Sequence, residues 1–194
     1  MGEQERKNDL ALKISKLQGG QLEAIEEYIQ QLTELPDAQE AISEKYLTFW
    51  CGEQLFGICI SQVMQIIQVP EVTPLPDVSH YMKGFICVRD EVIPIIDLRL
   101  RIGKPEIAYT THTCVVIVSV QNGSFGIVVD SVNDVETIPD ENIHLPLKQD
   151  KGAAYLKGIV KTGNPTLLLD MDELLESDEV ESVLDASKYT MGKE

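Results

Sequence analysis

From Leu10 to Leu35 the apolar residues fall at helical spacing. Leu10, Ile14 and Leu17 share one face, Gly19 and Gly20 interrupt it, and Leu22, Ile25, Ile29 and Leu32 make a second stripe. Pro36 and Asp37 end the segment. Such a stripe serves either an oligomerisation helix or a helix lying on its own domain. The second use is commoner, and the glycine pair weakens a long coiled coil. Residues 1–44 are therefore expected to form a helical N-terminal extension. After Glu44 the texture changes to short runs of β-branched and aromatic residues separated by Gly, Asn, Asp and Pro, which predicts a small β-barrel or sandwich.

Within that β region the chain repeats itself. Phe56-Gly57-Ile58-Cys59-Ile60-Ser61-Gln62-Val63 is echoed in register by Phe125-Gly126-Ile127-Val128-Val129-Asp130-Ser131-Val132. In the same order, Tyr81-Met82-Lys83-Gly84-Phe85-Ile86 is echoed by Tyr155-Leu156-Lys157-Gly158-Ile159-Val160. Each then leads into a second apolar strand, Ile93 to Ile96 and Thr166 to Leu169. These strands end at Asp97 and Asp170, where a carboxylate can cap the first amides of a helix. The expectation is a duplicated domain over 45–176, with one half at about 46–103 and the other at about 112–175. Each half would have four or five strands and one short helix. Either half alone would be marginal, so the two should pack together and leave a groove at their junction and open strand edges at the outer ends.

Composition narrows the partners. Hydrophobic residues make up 43% and charged residues 25%, as in an ordinary folded domain. Sixteen Lys and Arg stand against 32 Asp and Glu, a formal net charge of -16, which repels nucleic acid and anionic membrane surfaces. Met1 to Asp9 are mostly polar and no segment is long enough to span a bilayer, so no membrane insertion and a cytoplasmic location are expected. Cys51, Cys59, Cys87 and Cys114 form no Cys-x-x-Cys pair and read as core thiols in a reducing compartment. The acidic stretch from Asp170 to Asp185 reads as a solvated helical end, leaving 177–194 as a partly helical tail.

A search for chemistry yields little. Gly123-Ser124-Phe125-Gly126 is one residue short of a nucleophile elbow and reads better as a hairpin turn after Asn122. His80, His112 and His144 have no second His or Cys at ligand spacing and read as loop or strand-end residues, so no metal is expected. Asp130, Asn133 and Asp134 lack the order of a calcium loop, and Asp130 reads as a cap. No glycine-rich phosphate loop is present. Neither a catalytic residue nor a cofactor is expected.

The stretch Gly84-Phe85-Ile86-Cys87-Val88-Arg89-Asp90-Glu91-Val92-Ile93-Pro94-Ile95-Ile96-Asp97-Leu98-Arg99 resembles the most characteristic segment of CheW-type chemotaxis coupling proteins: glycine, apolar strand, Leu-Arg-Gly turn, apolar-Pro-apolar strand, Asp-Leu. Gly57-Ile58-Cys59-Ile60, Val63-Met64-Gln65-Ile66, Thr73-Pro74-Leu75-Pro76 and Gly126-Ile127-Val128-Val129-Asp130 support the likeness, which covers Tyr46 to about Leu175. The resemblance implies a mostly β fold of two SH3-like five-stranded barrel subdomains in tandem, with short helices. It implies an adaptor, not an enzyme, joining the cytoplasmic tip of a chemoreceptor to the regulatory domain of a CheA-type histidine kinase in membrane-associated arrays. By the same analogy Arg89, Asp90 and a helix starting near Val63, with Gln65, belong to a receptor-facing groove, and Cys114 and Gly126 match neighbouring binding positions. The open ends of the barrels would pair with the kinase, without particular residues assigned. Asp90 stands where the family has Gly and Gln65 where it has Glu, which leaves room for an accessory scaffold of altered partner specificity in a related two-component pathway. At a turn needing positive φ, Asp is tolerated better than most residues.

Overall fold

The apolar runs after residue 44 become strands because alternate residues can be buried against a common core. The computed structural model describes residues 21–33, 45–89, 91–121, 123–145, 154–161, 163–176, 180 and 183. Helix α1 (Gln21–Thr33) precedes β1 (Lys45–Cys51), β2 (Gln54–Cys59), β3 (Val63–Gln68), β4 (Met82–Val88) and β5 (Glu91–Asp97). After the single turn of helix α2 (Leu98–Arg101) come β6 (Cys114–Val120), β7 (Gly123–Val129), β8 (Ser131–Thr137), β9 (Ile143–His144), β10 (Leu156–Val160) and β11 (Thr166–Leu169), then α3 (Met171–Leu175). The protein is mostly β, and its strands form two open sheets. One is six-stranded in the order β8-β1-β2-β11-β10-β9, and the other is five-stranded in the order β3-β6-β7-β5-β4.

The two sheets are not the two sequence halves laid side by side, and they are open rather than closed barrels. Each half gives its first hairpin to one sheet and its remaining strands to the other. Thus β1 and β2 share a sheet with β8, β9, β10 and β11 of the second half, pairing with β8 and β11, while β6 and β7 share one with β3, β4 and β5 of the first, pairing with β3 and β5. The duplication survives this exchange in detail. Gly57 lies opposite Leu168 in the parallel pair of β2 and β11, and its echo Gly126 lies opposite Ile95 in the parallel pair of β7 and β5. The register slips between Met82 and Gly84 in β4 and between Leu156 and Gly158 in β10, at the echoed Lys83 and Lys157. It slips again between Val63 and Gln65 in β3, and between Val132 and Asp134 in β8. Tyr81 and Tyr155 each accept, on their backbone carbonyls, the amide of the aspartate at the end of the paired strand, Asp97 and Asp170, at 2.8 and 2.9 Å.

Both of those aspartates cap helices as their positions predict. The Arg99 amide donates to Asp97 Oδ1 at 3.0 Å, and the Asp172 and Glu173 amides donate to Asp170 Oδ1 at 3.1 and 3.3 Å. Asp97 also anchors a buried charge network. Arg99 is 2% exposed and Asp97 fully buried, with Arg99 Nη2 donating to Asp97 Oδ2 at 3.4 Å. Arg99 Nη1 forms an ion pair with Asp130 Oδ1 at 3.0 Å, off the line of a hydrogen bond, and the Gly52 amide donates to Asp130 Oδ2 at 2.6 Å. Asp130 therefore caps a turn, not a helix. Burial opposes the Arg99 charge, but the adjacent Asp97 and then Asp130 outweigh it and hold the guanidinium above its ordinary pKa. Burial, reinforced by the Asp97 charge, pushes the Tyr109 hydroxyl up, so it stays a donor to Asp97 Oδ2 at 3.2 Å.

One large apolar cluster joins the sheets. It includes Phe49, Ile58, Ile66, Ile96, Val116 and Ile127, and it extends to Ile25 of α1, Leu174 of α3, and Val180 and Val183. Among the described residues of the acidic stretch Glu173 and Glu176 are exposed, as a solvated end requires, while Leu174 and Leu175 are buried and Val180 and Val183 are helical and buried. Two of the four cysteines, Cys51 and Cys114, are buried as expected, whereas Cys59 is half-buried and Cys87 exposed near the end of β4. Residues 1–20, where the first helical stripe is expected, lie outside the described residues.

Candidate docking cleft

The cleft is built on an edge strand. β3 is the outer strand of the five-stranded sheet, and its bulge sets which side chains point outward. Val63 pairs with Val118 and Gln65 with Ile117, so Met64 is the extra residue of the bulge. Val63 and Ile66 face the core, Gln65 is half-buried, and Met64 is 52% exposed. The Ser124 hydroxyl donates to Met64 Sδ at 3.3 Å and holds the thioether at the surface. The segment 63–66, expected to begin a helix, is therefore strand.

Helix α1 covers the edge of β3 and the facing edge of β8. Ile25 is fully buried in the main core, and Ala24, Tyr28 and Ile29 pack against the same cluster. Of the two uses expected for the stripe, the helix takes the one on its own domain. Glu26 accepts the outward-facing Ile66 amide on Oε1 at 3.2 Å, closing one open bond of the edge strand. Lys45 Nζ lies 5.6 Å from the centre of the Tyr28 ring, a cation–π contact that ties the helix to β1.

Between α1, β3 and the β4–β5 turn lies an open cavity of about 390 Å³, lined by Glu26, Ile29, Gln30, Val63, Met64, Gln65 and Arg89. Arg89 is exposed at the turn, with φ +47°. The left-handed position of the turn among the described residues is thus Arg89; Asp90, where that conformation is expected from sequence, lies outside them. The apolar part of the lining comes from Ile29, Val63 and Met64, and the polar part from Glu26, Gln30, Gln65 and Arg89.

The cleft brings together Val63, Gln65 and Arg89 of the residues singled out by sequence. Cys114 and Gly126 lie elsewhere, inside the five-stranded sheet. Cys114 opens β6 opposite Val129, and burial pushes its thiol up to about 11. A Cβ on Gly126 would stand 2.5 Å from Ile95 Cγ2 and 2.8 Å from Val115 Cγ1, so only glycine fits between these strands. Both are buried in the sheet and neither lines the cleft. Met64, Glu26, Ile29 and Gln30 were not among the residues singled out. The stripe of Ile25 and Ile29 marks a buried face of α1, but nothing in it says where that face docks.

The histidines lie at the surface, in turns for His80 and His112 and at the end of β9 for His144, and His80 Nε2 stands 3.3 Å from Glu106 Oε2. No group of three His, Cys, Asp or Glu among the described residues could hold a metal ion. No helix among them is long and apolar enough to cross a membrane.

These features define a class: a duplicated two-sheet β domain with an open cleft lined from α1, β3 and the β4–β5 turn. A model of the CheW-like domain family matches residues 45–179, and the chain belongs to that family. It is 31% identical over 155 residues to Chemotaxis protein CheW of Klebsiella aerogenes, covering 78% of this chain and 93% of that protein. It is 32% identical over 144 residues to the protein of the same name from Treponema pallidum, covering 71% and 85%. The crystal structure of scaffolding protein TtCheW from Thermoanaerobacter tengcongensis shares the fold with a TM-score of 0.66 and 26% identity, covering 71% of this chain and 95% of that one. Helix α1 precedes the matched span.

Proposed function

We propose that this chain is a coupling scaffold that holds the cytoplasmic tip of a chemoreceptor beside the regulatory domain of a CheA-type histidine kinase. It makes and breaks no bond; it acts in the cytoplasm, at membrane-associated receptor arrays. Membership of the CheW-like family carries this reading, and the placement of Arg89, Val63 and Gln65 around one open cleft supports it. The receptor tip takes the cleft. Its apolar face meets Val63 and Met64, and its polar edge meets Arg89, whose planar guanidinium offers several donors at once. Asp90 belongs to the same contact, while Cys114 and Gly126 support it from within the sheet. The kinase domain takes the open ends of the sheets, away from the cleft. Binding both partners raises their effective concentration about each other to about the millimolar range, which a single affinity could not do.

The test is Arg89→Glu. Receptor-tip affinity should fall by about 10- to 100-fold, as for an interface arginine anchor, with the unfolding midpoint unchanged. Unaltered tip binding by the folded variant would remove Arg89 from the receptor contact.

A further inference from the structure

We propose that α1 is a permanent second wall of the docking cleft, by which this chain selects among partner helices; the inference rests on the receptor-coupling function above. The matched family domain begins at residue 45, so this wall is an addition to it. Three separate segments line the cavity, and one of them is α1, through Glu26, Ile29 and Gln30. With α1 in place the cavity is open and Arg89 in its lining is exposed. The helix thus frames the cleft and does not plug it.

Its anchoring points the same way. Ile25 is fully buried in the core, and Glu26 is committed to the Ile66 amide. A partner that displaced α1 would uncover Ile25 and the β3 edge together, whereas a partner lying beside α1 uncovers nothing. What α1 turns toward the cleft is the ridge of Glu26 and Gln30, four residues apart, with Ile29 beside it. Ridges at this spacing pack into the grooves of a second helix. The occupant that fits is an amphipathic helix. Its apolar stripe rests on Ile29, Val63 and Met64, and one edge carries an acidic side chain facing Arg89. A basic side chain on the opposite edge falls near Glu26. The arginine supplies the complementarity locally, against a chain whose net charge is -16.

The experiment uses the full chain and a fluorescently labelled helical-hairpin fragment from a chemoreceptor cytoplasmic tip, with a purified kinase regulatory domain as the second probe. Gln30 is exposed, so Gln30→Trp narrows the cleft without touching the core. Gln31→Trp, on the exposed side of the same helix, is the control. Gln30→Trp is expected to weaken tip binding about 10-fold or more and to leave kinase-domain binding within about two-fold, with Gln31→Trp unchanged for both. Gln30→Lys provides a second reading should the tryptophan variant fold poorly, and it should weaken a partner with a basic edge while sparing kinase binding. Tip binding unmoved by the folded Gln30 variants, yet lost with Arg89→Glu, would overturn the wall and leave the coupling function standing. Tighter tip binding by the Gln30 variants would make α1 a displaceable plug and also overturn it. A wild-type chain that binds no tip fragment would overturn both.

Discussion

Replacing Ile25 by Ala tests whether α1 is part of the folded domain. The side chain is fully buried in the cluster that joins both sheets, so the change removes three carbons from an apolar, buried site. At about 0.8 kcal/mol per buried CH₂ the lost transfer energy is roughly 2.4 kcal/mol. A residual cavity would add to this, and isoleucine-to-alanine changes in cores cost about 2–5 kcal/mol. Two effects pull the value down. Helix α1 packs from outside the sheets and can settle into the gap, and alanine is a better helix former than isoleucine by a few tenths of a kcal/mol. The expected loss is about 2–3.5 kcal/mol. With a urea slope of about 2 kcal/mol/M, the midpoint should fall by about 1–1.7 M. The chain's single tryptophan, Trp50 in β1, reports the transition by fluorescence. Gln31→Ala on the exposed side should move stability by no more than about 0.5 kcal/mol. A loss below about 0.5 kcal/mol for Ile25→Ala at unchanged slope would show that the helix contributes nothing to the core.

Two further outcomes follow from the polar interior. Arg99→Met should cost about 3–5 kcal/mol in urea unfolding, because it strands the fully buried Asp97 carboxylate. Adding Asp97→Asn should recover part of that loss, and a single-variant loss under about 1 kcal/mol would contradict the role of the pair. Burial raises the Asp134 carboxyl above its ordinary 3.8, against the opposing hydrogen bond from the Val135 amide. The folded state therefore holds this proton more tightly than the unfolded one, and the group's contribution to stability is lost as pH rises from 3.8 through the folded value. Asp134→Asn should be more stable than the wild type at pH about 7, with the difference vanishing below pH about 4. Equal midpoints for the two proteins at neutral pH would contradict this.

The echoed segments carried a great deal of the fold. The two glycines that face parallel partners, the two bulged lysines and the two capping aspartates all sit at repeated sequence positions because each copy solves the same local packing problem. Which strands pair was not legible, since the exchange of hairpins between sheets is a long-range event with no local signature. The helix near Val63 was an expectation from the family resemblance, and the residues themselves do not speak against it. The bulge at Met64 places Val63 and Ile66 on the buried side three residues apart, which is also about one turn of a helix. In the acidic stretch charge hid the apolar positions: among the described residues Glu173 and Glu176 are exposed, while Leu174, Leu175, Val180 and Val183 are buried. The cleft was half legible. Arg89 stands in the family's turn motif, but its opposite wall comes from α1, outside that family's span, and no pattern along the helix shows which edge it covers.

Simultaneous occupancy is what coupling requires, and sedimentation velocity measures it directly with a labelled receptor-tip fragment, the full chain and the kinase regulatory domain. The predicted result is one faster-moving boundary containing all three, formed only when this chain is present. A kinase domain that competes the tip off the chain, leaving two binary complexes and no ternary one, would contradict the scaffold.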